Sequence, residues 1–400
     1  MSNILKIADV NDALQIVSKL LPISNLKPFG AHQIEFLSSY SIHLSRIAPK
    51  DGSAQSLAFW LRNSRLTKMA EDFGSSHDRR IVKSARGLVF QIPPSNVETV
   101  FVYSLAVSIL TGNRNIVRIP SSVVENSLVF NSFIESLQSY PEILSRNFLV
   151  SYGYQEEVNE VFSSNCDLRV IWGGDKSIDT LRKFPVKPSA RDLTFFDRSS
   201  LALISTSSYL NLSDVERNEL VWKFYNDSFW FDQLACSSPR AVIWFGVSSM
   251  NEASSDFYER LRRLVELNQY VLEPAIQISK LNFLYERFLK DNEVKLTDWN
   301  FRATVIDSGL GIGHENDFPG GGVFFQGSIA TLEEIVPMLN SRHQTLTHFG
   351  FRNSELRELA ISLNGRAVDR MVAIGSALSF DRYWDGYDLL GEFTKNVFVD

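Results

Sequence analysis

The chain has 400 residues, 44% of them hydrophobic and 22% charged, an ordinary composition for a globular protein with a large core. Its 40 basic and 46 acidic residues give a net charge of −6 without any basic run, which argues against nucleic acid as a partner. The two cysteines, Cys166 and Cys236, do not make a disulfide framework, so we expect a protein of the reducing cytoplasm.

Taken in chain order, the first 80 residues have the spacing of amphipathic helices, as in "AHQIEFLSSYSIHLSRI", and begin without the layout of a signal peptide. From Arg86 onward, short apolar runs such as "NFLVSYG" and "LRVIWGG" alternate with amphipathic stretches. This alternation predicts βαβ units and a parallel sheet covered by helices. The longest apolar stretch, "VFVYSLAVSIL", is too short to span a bilayer and predicts a buried helix.

The most informative segment is "VFQIPPSNVETVFVYSLAVSILTGNRNIVRIPSS". A predicted strand ends at Pro93-Pro94, Ser95 or Asn96 can cap the next helix, and a second strand delivers Arg118 to its carboxyl end. Ligands of α/β sheets bind at such strand ends. Alone, Asn96 is explained as a helix cap and Arg118 as a surface charge, so it is their combination that favours a site.

Two interpretations are open for the thiol of Cys236, which lies in "FWFDQLACSSPR" between a predicted helix and a predicted strand: packed filler or nucleophile. Cys166 enters a strand and is interpreted as packed. The stretch "GLGIGHENDFPGGG" is interpreted as a loop between strands, since no helix follows the glycines as a phosphate loop requires. His314 and Glu315 within it lack the spacing of a metal pair, and we predict no metal.

Four separated motifs occur in one order that resembles the LuxC-type fatty acyl-CoA reductases, a branch of the aldehyde dehydrogenase superfamily. They are "ARGLVFQIPPSNVETVFVYSLAVSILTGNRNIVR", "FDQLACSSPR", "QTLTHFG" and "WDGYDLL". The resemblance implies an α/β protein of aldehyde dehydrogenase-like fold, with a Rossmann-type dinucleotide-binding domain and an α/β catalytic domain. It also implies reduction of a fatty acyl thioester to an aldehyde, with Cys236 as nucleophile and Asn96 as a donor to the oxyanion.

On this basis we divide the chain into four parts. They are an N-terminal helical segment (1–80), a dinucleotide-binding domain (81–215), a catalytic domain (216–360) and a C-terminal segment (361–400) that packs back on the cofactor domain. The boundary near residue 215 rests on a change of sequence texture.

The resemblance further implies a nicotinamide cofactor bound by Pro94, Arg118, Ser121, Gly173 and Gly174. Arg118 stands where the superfamily has Lys, and a guanidinium suits a 2′-phosphate, which favours NADPH over the alternative NADH. The expected substrate is acyl-CoA or another acyl-carrier thioester. An acyl-protein synthetase is a partner by resemblance, and homo-oligomerisation is left open.

One departure from the superfamily bears on the direction of the reaction. Hydrolytic aldehyde dehydrogenases carry a water-activating Glu in an E-L-G-G segment, and the equivalent stretch "FPVKPSARDLTFFDRSS" has no Glu. Without that base an acyl-enzyme is protected from hydrolysis, which favours reduction. The alternatives are an NAD(P)-dependent aldehyde dehydrogenase running oxidatively and a scaffold that accepts an acyl group on Cys236 without a cofactor.

Overall fold

The computed structural model describes residues 4–75, 80–94, 98–119, 127–153, 155–290, 295–298, 302–307 and 318–400. The chain forms two compact units, Met1–Asp197 with Ser379–Asp400, and Arg198–Leu378. The two units meet at other positions in the chain than the domain boundaries predicted at 80/81, 215/216 and 360/361. The predicted division into four functional parts therefore stays a prediction.

The first unit opens with one short strand and the helices that the amphipathic spacing predicted. These are β1 (Ile4–Lys6), α1 (Val10–Leu20), α2 (Ala31–Ile47), α3 (Gly52–Trp60) and α4 (Asn63–Gly74). Alternating strands and helices follow. They are β2 (Ile81–Ala85), β3 (Leu88–Ile92), α5 (Glu98–Leu110), β4 (Arg114–Arg118), α6 (Leu128–Gln138), α7 (Pro141–Leu144), β5 (Asn147–Ser151), α8 (Glu156–Asn165), β6 (Leu168–Trp172), α9 (Asp175–Arg182) and β7 (Arg191–Phe195).

The six-stranded sheet of this unit has the order β1-β5-β4-β3-β6-β7, and each pairing is parallel, as predicted. Side chains along β3 alternate between two cores: Val89 packs into one, and Leu88 and Phe90 pack into the other. Helices therefore cover both faces, which explains why β3 is apolar and buried throughout.

Helix α5 is the buried helix predicted from the longest apolar stretch, and its side chains from Phe101 to Leu110 are all buried. Among the residues that the structure describes, no helix combines the length and apolarity needed to cross a membrane.

The second unit contains a seven-stranded sheet with helices on both faces. Its elements are β8 (Ser199–Ser205), α10 (Thr206–Leu210), α11 (Asp214–Phe229), β9 (Pro239–Phe245), α12 (Met250–Leu267), α13 (Pro274–Lys290), β10 (Lys295–Asp298), β11 (Thr304–Asp307), β12 (Val323–Ile329), β13 (His343–Phe349), α14 (Asn353–Leu363) and β14 (Arg370–Ala373). The strand order is β10-β11-β12-β9-β8-β13-β14, parallel except for β10 against β11. A capping box of Ser213 and Glu216 fixes the start of α11, the helix that leads to the Cys236 segment.

The C-terminal residues return to the first unit. They form β15 (Tyr383–Trp384), β16 (Tyr387–Asp388), α15 (Leu389–Glu392) and β17 (Thr394–Phe398). Strand β17 pairs antiparallel with β2, and the Tyr103 ring of α5 packs against Phe380 and Trp384. The aromatic tail is thus part of a hydrophobic core.

Candidate active site

Cys236 is half-buried in the turn between α11 and β9, at the amino edge of the sheet in the second unit. Its backbone carbonyl accepts a hydrogen bond from Ser200 Oγ at 2.7 Å. The same Oγ accepts the Thr345 N–H at 3.1 Å. The backbone at Cys236 is therefore fixed to β8 and β13, the two strands that start beside it.

A strained corner lies just before the cysteine. Asp232 and Gln233 have φ angles of 50° and 63°, in the left-handed region that non-glycine residues rarely adopt. The Gln233 side chain is fully buried and donates to the carbonyls of Pro239 (2.9 Å) and Val323 (2.8 Å). These bonds tie the corner to the starts of β9 and β12.

Three consecutive glycines, Gly320 to Gly322, support that corner from the other side, with φ angles of 70°, 61° and 76°. The Gly321 N–H donates to the Asp232 carbonyl at 2.8 Å, and the Gly322 N–H donates to Gln233 Oε1 at 3.0 Å. A Cβ at Gly320 would lie 2.1 Å from the Asp232 carbonyl oxygen, so a side chain there cannot be accommodated. We call the segment 232–236 together with Gly320–Gly322 the nucleophile loop assembly, after the role that the sequence predicts for Cys236.

The glycines lie between β11 and β12, and residues 318–322 form neither helix nor strand, whereas residues 309–317 of the predicted loop lie outside the described residues. His314 and Glu315 fall outside the described residues. Within the described ranges, no group of three His, Cys, Asp or Glu side chains is placed to hold a metal ion.

A cavity of about 470 Å³ opens beside Leu234, two residues before the cysteine. Its lining combines apolar side chains, such as Phe318, with the polar side chains of Ser279 and Asn282 and the carboxylate of Glu286. Such a mixed lining suits a ligand that has both apolar and polar parts.

Asp227 lies on α11 and anchors a turn that follows β14. Its buried carboxylate accepts the N–H groups of Gly375 (2.6 Å) and Ala377 (3.0 Å). Arg370 donates to the Ala377 carbonyl at 3.2 Å. Burial raises the pKa of Asp227 to about 7, against the opposing effect of the two N–H donors.

Replacement of Asp227 by Asn should make the stability of the protein less dependent on pH. Because the pKa is raised on folding, the carboxyl group contributes fully below about pH 4, the unfolded value, and this contribution is lost as pH rises to about 7. Urea unfolding at pH 5 and pH 8 measures the effect, and Asp227→Asn should cost more stability at pH 5. Equal losses at both pH values would contradict the assignment.

The carboxyl edge of the sheet in the first unit is a candidate dinucleotide site. After β3 the chain builds β4 and β5 on one side, and then returns to build β6 and β7 on the other. The carboxyl ends of β3 and β6 thus form the topological switch point, where open α/β sheets bind ligands. Pro94 follows β3, Gly173 follows β6, and Arg118 ends the neighbouring strand β4, so three predicted cofactor residues lie at this edge.

Local contacts differ among these residues. The Arg118 guanidinium donates to the Gly153 carbonyl at 3.0 Å and lies 4.6 Å from the centre of the Tyr152 ring. A Cβ at Gly173 would meet only Ser177 Cβ at 3.5 Å, so this turn has room for a ligand. A Cβ at Gly174 would lie 2.8 Å from Asp197 Oδ2, so an internal contact already explains that glycine.

Two predicted site residues, Asn96 and Ser121, lie outside the described residues, and their roles stay predictions. The other thiol matches its interpretation as packed: Cys166 is fully buried, with its Sγ 3.2 Å from the Ser163 carbonyl. Burial raises the pKa of Cys166 to about 12, which removes its nucleophilic form at neutral pH.

Sequence reasoning missed the residues that support the Cys236 segment, namely Ser200 and Gln233. Hydrogen bonds between segments far apart in the chain define them, and residue type alone carries no such information. The run of three glycines was a visible signal, because successive left-handed residues mark a place where backbone packs closely on backbone.

Solved structures of several aldehyde dehydrogenases resemble this chain. Glyceraldehyde-3-phosphate dehydrogenase GapN from Methanocaldococcus jannaschii, complexed with NADP, has a TM-score of 0.65 at 14% identity, covering 97% of this chain and 93% of its own. Aldehyde dehydrogenase 21 from Physcomitrella patens, complexed with succinate, has a TM-score of 0.68 at 12% identity, and the match covers 98% of this chain and 90% of that protein. Betaine aldehyde dehydrogenase from Staphylococcus aureus, complexed with NAD+, has a TM-score of 0.65 at 13% identity, and the match covers 97% of this chain and 86% of that protein. The chain has the aldehyde dehydrogenase fold.

The family model of the acyl-CoA reductases (LuxC) matches residues 67–396. The chain belongs to this family, which confirms the resemblance carried by the four sequence motifs. No curated protein sequence matches it significantly. Membership makes the protein an oxidoreductase of the class that acts on aldehyde and acyl groups.

Proposed function

We propose that this protein reduces a fatty acyl thioester to an aldehyde with NADPH, through an acyl-enzyme on Cys236. The observation that carries the proposal is the nucleophile loop assembly: in a chain of the acyl-CoA reductase family, hydrogen bonds fix the backbone that carries the half-buried Cys236 side chain.

In the proposed reaction, the Cys236 thiolate attacks the thioester carbonyl and forms a tetrahedral oxyanion. The side-chain amide of Asn96 and a backbone N–H stabilise this oxyanion as donors. The carrier leaves as a thiolate, and the acyl group remains on Cys236 as a new thioester. A bound nicotinamide would supply the hydride that reduces the acyl group. Collapse of the resulting thiohemiacetal releases the aldehyde and regenerates the thiolate.

The carboxyl edge of the sheet in the first unit, at the switch point between β3 and β6, fits a dinucleotide in three respects. It has an open glycine turn at Gly173, a proline that ends β3, and the Arg118 cation at the adjacent strand end. The carboxylate of Asp197 accepts the Asp175 N–H (3.3 Å) at the start of α9 and brings negative charge there. A cofactor phosphate would therefore depend more on Arg118 than on this helix terminus.

The carboxylates near β7 support the proposed direction of the reaction. That strand carries no Glu, and the Asp192 carboxylate forms a two-pronged ion pair with Arg169, both distances being 2.7 Å. The carboxylate of Asp197, the next acidic residue, accepts a hydrogen bond from the Asp175 N–H at the start of α9. Because both carboxylates are engaged in structure, this segment offers no base to activate water, which supports reduction over hydrolysis.

The test is an assay with acyl-CoAs of varied chain length and NADPH, following nicotinamide absorbance and the aldehyde product. We expect NADPH consumption matched by aldehyde formation. If the protein instead converts only aldehydes, with NADP+ as oxidant and a carboxylic acid as product, the oxidative alternative is established. Acylation without any binding of nicotinamide would establish the acyl-transferring scaffold.

Arg118→Ala should weaken NADPH binding by about tenfold and NADH binding by much less, because the lost contact is to the extra phosphate. Fluorescence titration of both cofactors measures the two dissociation constants. Arg62→Ala is a matched control, since Arg62 also lies 4.6 Å from an aromatic ring, that of Phe59. Equal losses for NADPH and NADH would show that Arg118 does not read the 2′-phosphate.

A further inference from the structure

Lys280 is a buried lysine that the proposed reaction leaves unused. It lies on α13 with none of its surface exposed, and its Nζ donates to the Gly321 carbonyl at 2.8 Å. Burial lowers the pKa of Lys280 to about 7. A lysine is rarely buried so completely, because removing its ammonium group from water is unfavourable. A structural or functional gain must offset that loss.

The contact of Lys280 leads directly to the nucleophile loop assembly. Gly321 accepts from Lys280 through its carbonyl and donates from its N–H to the Asp232 carbonyl at 2.8 Å. One peptide further, the Gly322 N–H donates to Gln233 Oε1 at 3.0 Å. Lys280 is therefore linked to Asp232 through Gly321, and to Gln233 through the peptide group that joins Gly321 and Gly322.

The glycines cannot hold this geometry by side-chain packing. All three have positive φ angles and no Cβ, so their conformation depends on backbone hydrogen bonds. The N–H groups of Gly321 and Gly322 donate to the corner at Asp232 and Gln233. The bond from Lys280 holds the Gly321 carbonyl, which belongs to the same peptide group as the Gly322 N–H.

We propose that Lys280 is a positioning residue, which orients the Cys236 thiol by fixing the Gly321 carbonyl and through it the corner at Asp232 and Gln233. The inference rests on the proposed role of Cys236 as nucleophile. Lys280 exchanges no proton with substrate in this account. Its effect is on the placement of the thiol relative to the thioester carbonyl, where a small displacement is costly for the rate.

The experiment compares wild type with Lys280→Met, which keeps a similar length and removes the donor. Lys223→Met is the matched control, because Lys223 is a partly exposed lysine of the same unit whose Nζ pairs with Glu219 at 2.7 Å. Three readouts are taken: kcat and KM with acyl-CoA and NADPH, the rate of Cys236 alkylation by iodoacetamide, and the thermal midpoint. Cys166 is an internal reference, since its buried thiol should stay unmodified.

We expect Lys280→Met to lower kcat by about 10- to 100-fold with KM changed less than about threefold, and to change the alkylation rate of Cys236 by at least about threefold. Lys223→Met should match wild type in all three readouts. If Lys280→Met does not fold, Lys280→Gln, which keeps an N–H donor at shorter reach, should show the same pattern with a smaller loss of kcat.

A folded Lys280 variant with wild-type kcat and wild-type alkylation would overturn the inference. A lower thermal midpoint with unchanged kcat would overturn it as well, since Lys280 would then act on stability alone. If wild type itself forms no acyl-enzyme while alkylation of Cys236 still depends on Lys280, the proposed function fails and the positioning of the thiol stands.

Discussion

Cys236→Ser should lower acyl-CoA reduction by a factor on the order of 10³ or more, while the fold and nicotinamide binding are retained. The side chain is half-buried in a turn whose support comes from backbone and from neighbouring residues, so exchange of sulfur for oxygen leaves that support in place. A serine hydroxyl without an adjacent base is a far weaker nucleophile than a thiolate. NADPH oxidation with acyl-CoA measures the rate, and circular dichroism reports the fold.

Cys166→Ser is the natural control for this substitution. Cys166 is fully buried in the first unit, and its hydrogen bond to the Ser163 carbonyl can also be made by a hydroxyl. This variant should keep its activity within about twofold. If Cys236→Ser retains more than about a tenth of the activity, the thiol of Cys236 does not form the intermediate.

Gln233→Ala should cost stability and activity together. The substitution leaves two buried carbonyls, those of Pro239 and Val323, and the Gly322 N–H without the amide that now satisfies them. Each buried polar group without a partner costs about 1–3 kcal/mol, so we expect a loss of about 3 kcal/mol or more in the free energy of unfolding. The nucleophile loop assembly should also relax, with kcat reduced by about 10- to 100-fold.

Urea unfolding and steady-state kinetics measure these effects, and Gln277→Ala serves as the control. Gln277 is an exposed glutamine with one bond to the Leu272 carbonyl, so its loss should cost about 0.5 kcal/mol or less. If Gln233→Ala unfolds at the urea concentration of wild type, the hydrogen bonds of Gln233 do not hold the corner.

The fold was largely predictable from the sequence because it depends on local patterns. Apolar runs alternating with amphipathic stretches produce parallel strands buried on both faces, and β3 shows why: its neighbouring residues Val89 and Phe90 pack into different cores. The cysteine and the strand ends at Pro94, Arg118 and Gly173 were also identifiable, since each is marked by residue type next to a strand boundary.

The supporting residues were not predictable in the same way. Gln233 and Lys280 look like ordinary polar residues in the sequence, and their burial depends on contacts to Val323 and Gly321, which lie far along the chain. The position of Cys236 at the amino edge of its sheet was also not predictable from general rules, because ligands of α/β sheets usually bind at the carboxyl edge.

The central claim, an acyl-enzyme on Cys236 that awaits hydride, is tested most directly by mass spectrometry of the intact protein mixed with acyl-CoA in the absence of NADPH. Without hydride, and because the stretch around β7 carries no Glu to activate water, the intermediate should accumulate, so wild type should gain the mass of one acyl group, located by peptide mapping on Cys236. Addition of NADPH should then remove this mass and release the aldehyde, and Cys236→Ser should never acquire it. A wild-type protein that remains unacylated by any chain length or carrier, or that carries the acyl group on a different residue, would contradict the account.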